Sequence, residues 1–295
     1  MRFPRTLLRL LYLIIPLSLA TGLFALRHGA VVPEPVQVTT LRGTSATLFG
    51  AGLYRDDSLF FAAGFIAQDL VMTLLALPLL GLAVLLMRRG RSAGLVLASA
   101  ALGYMLYTYA SLAFSAAYND AFFSYTLLLS LCLFAIRRAQ MDLSGYLDPA
   151  RFRLISPRLP RKALAVFLTL SGLITLFIWS TPLVVARQEG LYPARLDHYT
   201  SEFTAAIDIA VIAPLCLACA YWVWQNQPGG YVLALPLLGT LTLLVPGVLI
   251  ATPVQAWAGI QFSAPEMAGP IAGFVALGLY STWLIYALVR RLSSP

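Results

Sequence analysis

Long apolar runs separated by short polar segments dominate this chain. Eight of them approach the roughly 20 residues that cross a ~30 Å hydrocarbon core as helix. They cover about Thr6 to Leu26, Ser58 to Met87, Ser92 to Phe114, Ala121 to Ile136, Ala163 to Ala186, Glu202 to Trp224, Tyr231 to Ala251 and Glu266 to Val289. The stretch from Gly64 to Gly90 stands out because it carries a carboxylate, Asp69, near its start and closes on Arg88-Arg89. An ionisable side chain inside a membrane-length segment marks a functional site by default, since charge in hydrocarbon is costly unless it has work or a partner there.

The polar segments set the topology. His28 to Ser58 carries Pro33 and Pro35 and shows no helical periodicity, so it reads as an irregular loop. The stretch from Arg137 to Lys162 is rich in arginine and proline and divides the chain. The expected domains are therefore 1–138, a basic cytoplasmic linker 139–162, and 163–295. The first run exceeds the apolar core of a signal peptide and is expected to stay as an anchor, although a small-x-small pattern at Ser18-Leu19-Ala20 leaves cleavage as an alternative.

Charge tests this layout. With the N-terminus inside, Arg2, Arg5, Arg9, Arg88, Arg89, Arg91, Arg137, Arg138, Arg151, Arg153, Arg158, Arg161, Lys162, Arg290 and Arg291 fall on the inner side. Only Arg27, Arg42, Arg55, Arg187 and Arg195 fall outside, the bias that the positive-inside rule demands of cytoplasmic loops. Both termini are thus expected in the cytoplasm. Composition agrees: 60% apolar and 11% charged residues exclude an ordinary soluble domain. The net charge of +8 belongs to orientation and not to nucleic acid, because the cations sit in loops beside apolar runs.

A repeat emerges on comparing the halves. Gly52-Leu53-Tyr54 precedes Asp69, and Gly190-Leu191-Tyr192 precedes Asp208. Each acid is followed 21 positions later by a glycine, Gly90 or Gly229 (90 − 69, 229 − 208), and Pro78 and Pro214 interrupt the intervening runs. Four runs per half is an even number, so the copies would share one orientation, as parallel repeats. The expected fold is all-α transmembrane, with about eight spanning helices in two parallel four-helix repeats.

The candidate ligand site combines Asp69, Asp208, Gln68, Tyr107 and Thr204. Gln68 adjoins Asp69. Asp197, Ser201, Thr204 and Asp208 lie at helical spacing and form one polar stripe. Tyr104, Tyr107, Ser111, Ser115 and Tyr118 share a face of the third run; the deeper two tyrosines need partners inside the protein, whereas Tyr118 suits an interfacial belt. Asp56 and Asp57 read as solvated loop charge, and Asp120 and Glu266 as helix N-caps. For Asp69 and Asp208, capping of a broken helix competes with function.

Other chemistry is thin. Two histidines cannot build a three-histidine zinc site, and no G-x-S-x-G, Walker A, H-E-x-x-H or haem motif is present. No metal, catalytic residue or cofactor is expected. Cys132, Cys216 and Cys219 read as buried packing, with a Cys216/Cys219 dithiol as the alternative. Ser99-x-x-x-Gly103 and Gly269-x-x-x-Gly273 predict close helix packing.

Gln68-Asp69-Leu70, Pro78-Leu79-Leu80, Arg88-Arg89-Gly90, Tyr107-Thr108-Tyr109-Ala110 and Tyr118-Asn119 together resemble a bacterial family of polytopic membrane proteins with no established activity. The resemblance covers mainly residues 52–138 and less clearly 190–250, and implies membrane location and the importance of this stretch; the expected location is the bacterial cytoplasmic (inner) membrane. The expected function is transport or solute binding, with an outward-facing acidic pocket for a cation, an amine or a proton-coupled solute. A non-catalytic sensor or accessory subunit with a membrane-protein partner is the alternative. An intramembrane enzyme using the two carboxylates as acid and base is the third reading, and requires them within reach of one substrate.

Overall fold

A computed structural model of the chain describes residues 5–193, 195–260 and 264–292, with side chains for all of these except 264–271. It is 77% helical and contains eight helices long and apolar enough to cross a membrane: a multi-pass membrane protein. Arg2 lies outside the described residues, and Glu266 outside the described side chains.

Helix α1 spans Arg5–Gly29. A small antiparallel hairpin follows, β1 (Val36–Thr39) and β2 (Ser45–Leu48), within the segment expected to be irregular. Its short V-Q-V-T and S-A-T-L strands flank a turn closed by Gly43, whose φ of 78° suits a residue without Cβ. The second span is composite. It runs as α2 (Leu59–Val71), a π-helical segment Met72–Ala76, and α3 (Leu77–Arg88). Then come α4 (Ala93–Phe114), α5 (Phe122–Tyr146) and the short α6 (Pro149–Ile155). The α5 helix continues ten residues beyond the expected end at Ile136 (146 − 136), because Arg138 pairs with Asp142 one turn on, at 2.6 Å.

The second half follows. It comprises α7 (Arg161–Gln188), then α8 (Phe203–Ile207), a π-helical segment Asp208–Ile212 and α9 (Ala213–Trp224), followed by α10 (Pro228–Trp257) and α11 (Ala264–Leu292). Local features recur 136 positions apart (208 − 72): Met72 and Asp208 open the π segments, and Pro78 and Pro214 stand second in the helices that follow. Gly90 and Asn226 at the ends of those helices have φ of 71° and 55°.

Helix α4 is the pillar. It packs against α3, α5 and α10, and 89% of its apolar window is buried. Small residues on all sides permit this, since a helix surrounded by protein has no wet face to keep polar. At the α4–α10 crossing the backbones touch. A Cβ on Gly103 would come within 2.3 Å of the Pro236 carbonyl oxygen, and one on Gly239 within 2.0 Å of that of Ala100. The contact is reciprocal, because residues 100 and 103 meet residues 239 and 236. Proline in α10 removes backbone donors, and the hydroxyl of Thr240 donates to the Pro236 carbonyl at 2.9 Å.

Peripheral helices expose Leu13, Phe123, Phe134, Phe177, Tyr286 and other large apolar side chains, a surface suited to lipid. Cys132, Cys216 and Cys219 are all buried with free thiols, as packing residues would be.

Candidate functional site

Among the described residues, Asp69, Asp142 and Asp208 lie inside spanning helices; Asp142 is paired with Arg138, and neither Asp69 nor Asp208 caps a broken helix. The backbone continues through both positions by widening from α to π, a local expansion that frequently accompanies functional sites. The acids differ in place. Asp69 lies in α2, one turn before its π segment, whereas Asp208 is the first residue of the other π segment. At the 136-residue offset Asp69 falls opposite Ala205, and Asp208 opposite Met72, so the acids do not occupy corresponding turns.

Asp69 is 4% exposed. Its Oδ2 accepts a hydrogen bond from the Tyr54 hydroxyl at 2.6 Å, and that hydroxyl lies 3.1 Å from the hydroxyl of Tyr125 on α5. Tyr54 is delivered by a tight loop. Gly52, at φ 63°, passes so close to the end of α1 that a Cβ would sit 2.2 Å from the His28 carbonyl oxygen. The Leu53 amide donates to that same carbonyl at 2.7 Å, and the Tyr54 ring lies against Gly29. The G-L-Y motif therefore has a physical purpose in this half. Burial, followed by the neighbouring Asp69 charge, pushes the Tyr54 hydroxyl well above its ordinary pKa, so it acts as a donor.

Buried polar atoms without partners crowd the same region: Gln68 Oε1, Thr73 Oγ1, Ser18 Oγ, Tyr104 Oη and Thr108 Oγ1. Thr73 lies one turn beyond Asp69 and meets α1 at Gly22, where a Cβ would clash with its hydroxyl at 2.3 Å. In a bilayer such groups are costly when unmatched, so their concentration around one acid marks a polar interior.

Asp208 is half-buried. Its Oδ2 accepts from the indole Nε1 of Trp179 on α7 at 2.7 Å, and the Tyr107 hydroxyl of α4 faces the same carboxylate. The structure thus brings Tyr107 to Asp208, while Tyr104 lies one turn away on α4. Thr204 is half-buried one turn before Asp208, and Gln68 adjoins Asp69. Among the described residues, neither acid forms an ion pair with lysine, arginine or histidine.

A third acid, just before α2, corrects the sequence reading. Asp57 is fully buried, not solvated. Its Oδ1 accepts from the Ala117 amide at 2.7 Å and from the Tyr199 hydroxyl at 2.8 Å, while Oδ2 has no partner. Desolvation raises its carboxyl to about pKa 7, against the lowering effect of those two donors. Asp56, beside it, is exposed and pairs with Arg55. Asp120 does not cap α5; the Asn119 side chain accepts from the Ala121 amide there at 3.0 Å.

These contacts join the two halves at the hairpin end of the bundle. Arg42, at the hairpin tip, donates to the Tyr199 carbonyl at 2.9 Å and to the Asp197 carbonyl, while its guanidinium lies over the Tyr192 ring. Compared with protein-family models, curated proteins and solved structures, the chain finds no match. Its chemistry must be read from these residues alone.

Sequence reasoning missed Tyr54 as the partner of Asp69, and also Trp179, Tyr125, Asp57 and Tyr199. The G-L-Y motif pointed at Tyr54. Trp179 gave no signal, since its indole meets Asp208 only through the packing of α7 on α9.

Proposed function

We propose that the protein is a proton-coupled carrier or solute-binding protein of the bacterial inner membrane, with Asp69 and Asp208 as its working carboxylates and Gln68, Tyr107 and Thr204 beside them. The observation that carries this reading is the electrostatic setting of the two acids. Each lies in a spanning helix within one turn of a π-helical segment, accepts hydrogen bonds from neutral donors, and has no cationic partner among the described residues. A carboxylate desolvated in this way gains from binding a proton or a positively charged solute, the exchange on which coupled transport rests. A small amine or another cation is the matching solute class.

The carrier is proposed to consist of two parallel four-helix repeats, 1–138 and 163–295, joined by the basic linker 139–162, with both termini cytoplasmic. Support for the duplication comes from the recurring π segments, prolines and left-handed turn residues, and from the reciprocal α4–α10 contact. Support for the orientation comes from the arginine bias. A second reading, a non-catalytic sensor or accessory subunit, is favoured by the closure of Asp69 behind Tyr54.

Liposomes holding a pH-sensitive dye and the reconstituted protein test the carrier. Addition of a panel of small amines is expected to move protons, and Asp69→Asn and Asp208→Asn are each expected to abolish the signal while the protein still inserts. Wild-type signals from both variants would sink the proposal.

A further inference from the structure

Two neighbouring hollows mark the end of the bundle where α7 begins. One is a polar cavity of about 490 Å³ between the segment leading into α7, the first turn of that helix and the α9–α10 turn, with Ser156, Arg161, Lys162 and Asn226 in its wall. The other, about 450 Å³, is an apolar groove between α7 and α9, lined by Val166, Leu170, Leu217, Tyr221 and Trp224. They adjoin on both sides. Ala163 borders the cavity and Ala165 the groove, and Asn226 borders the cavity and Gln225 the groove.

We propose that the two hollows form one site for a phospholipid with an anionic headgroup, its phosphate in the cavity beside Arg161 and Lys162 and an acyl chain in the α7–α9 groove. The site is separate from the carboxylates. Trp224 lies sixteen residues beyond Asp208 (224 − 208), about 24 Å along the helix at ~1.5 Å per residue, so the lipid site does not rest on the carrier reading.

Charge selects the headgroup. The cavity wall holds two cations and no carboxylate. Arg161 and Lys162 are both exposed, and among the described residues neither forms an ion pair, so their charge is uncompensated within the chain. Helix α7 starts behind Pro160 with no side-chain cap, and its first turn brings Lys162 and Ala163, with the positive end of the helix dipole, to the same wall. Asn226, held at φ 55°, accepts from the Tyr231 hydroxyl through Oδ1 at 3.3 Å, which leaves its amide nitrogen as a further donor. Cations and neutral donors around one cavity without an acid suit phosphate oxygens, as in the basic pockets that hold lipid headgroups between spanning helices.

The groove selects a lipid over a free anion. Ala165 and Ala220, small and buried, give it depth, while Val166, Leu170, Tyr221 and Trp224 are exposed. In a spanning bundle those surfaces meet hydrocarbon, and tyrosine and tryptophan near the end of a span sit at headgroup level. A free phosphate would use the cavity alone. An apolar groove opening beside that cavity matches a chain esterified to the same anion.

Native mass spectrometry of the full chain, titrated in detergent with phosphatidylglycerol or phosphatidylcholine, provides the test by counting bound lipids. One phosphatidylglycerol is expected to stay bound at concentrations where phosphatidylcholine does not. A cation at a membrane surface contributes about fivefold in affinity, so Arg161→Gln combined with Lys162→Gln is expected to weaken phosphatidylglycerol roughly 30-fold. Arg89→Gln, an exposed cation at the same end but outside both hollows, is the control and is expected to leave binding unchanged. Thr169→Trp sets an indole in the groove, keeps both cations and is expected to displace the lipid. Millimolar glycerol 3-phosphate is expected not to compete. Equal retention of the two lipids, an equal loss in Arg89→Gln, or full competition by glycerol 3-phosphate would overturn the site. So would loss in the double variant with none in Thr169→Trp, since the anion would then bind without its chain. Gel filtration separates a lost site from a misfolded variant, and Val166→Trp, which also fills the groove, takes the place of Thr169→Trp if that protein aggregates.

Discussion

Asp69 and Asp208 stand beside similar helical turns in different surroundings. Both spans widen into a π segment and continue from a proline into a twelve-residue helix. In the first half a loop pinned to α1 drives Tyr54 onto Asp69, and α5 backs it with Tyr125. In the second half the corresponding G-L-Y loop lies open: a Cβ on Gly190 would meet nothing within 4 Å, and Tyr192 is 59% exposed under Arg42. Asp208 is capped instead by an indole from α7 and remains half-buried. Similar helical turns therefore support a sealed acid and a half-buried one, which suits the proposed division between holding a proton and meeting a solute.

The comparison depends first on the crossing that joins the halves. Gly103→Ala and Gly239→Ala each force a methyl into backbone, and each is expected to cost at least about 1–3 kcal/mol of stability. Chemical unfolding in detergent checks this; a large loss at one position and none at the other would break the reciprocity. Next in size is Tyr54→Phe, which strips the donor from a buried carboxylate and is expected to cost about 1.5–3 kcal/mol by the same measurement. The matching change at the accessible acid, Trp179→Phe, leaves Tyr107 and partial solvation in place, so about 1 kcal/mol is expected. Equal losses for the two would erase the distinction between sealed and open sites.

Smaller still is the pH response of the Asp57 contact. Desolvation raises Asp57 from 3.8 to about 7, so the folded protein holds a proton that the unfolded chain releases at lower pH. The stability this contributes is fully present below the unfolded value and is lost as pH rises through about 7. Asp57→Asn keeps an acceptor for Ala117 and Tyr199 and removes the titration. It is expected to melt higher than the wild type at about pH 8 and to lose that advantage at about pH 5; a constant difference at both would remove Asp57 as the titrating group.

Periodic hydropathy located all eight spanning helices, because membrane length and apolar content are written directly in the residues. It located Asp69 and Asp208 for the same reason. The π segments were not legible, since one extra residue per turn leaves no compositional trace beyond a following proline. Asp57 was misread for a physical reason: a carboxylate in a polar stretch looks solvated unless the distant Tyr199 and the α4–α5 loop are known to close over it. The hairpin had a signal in its alternating V-Q-V-T strand and was still overlooked, because eight apolar runs dominate any reading of this chain.

The central claim is that the sealed acid, Asp69, binds and releases a proton within the membrane. Infrared difference spectra of the reconstituted protein, taken between mildly acidic and mildly alkaline buffer, report the carboxylic-acid C=O stretch directly. The account predicts a buried-type band that disappears in Asp69→Asn and persists in Asp208→Asn. A spectrum of Asp69→Asn superimposable on that of the wild type would contradict it.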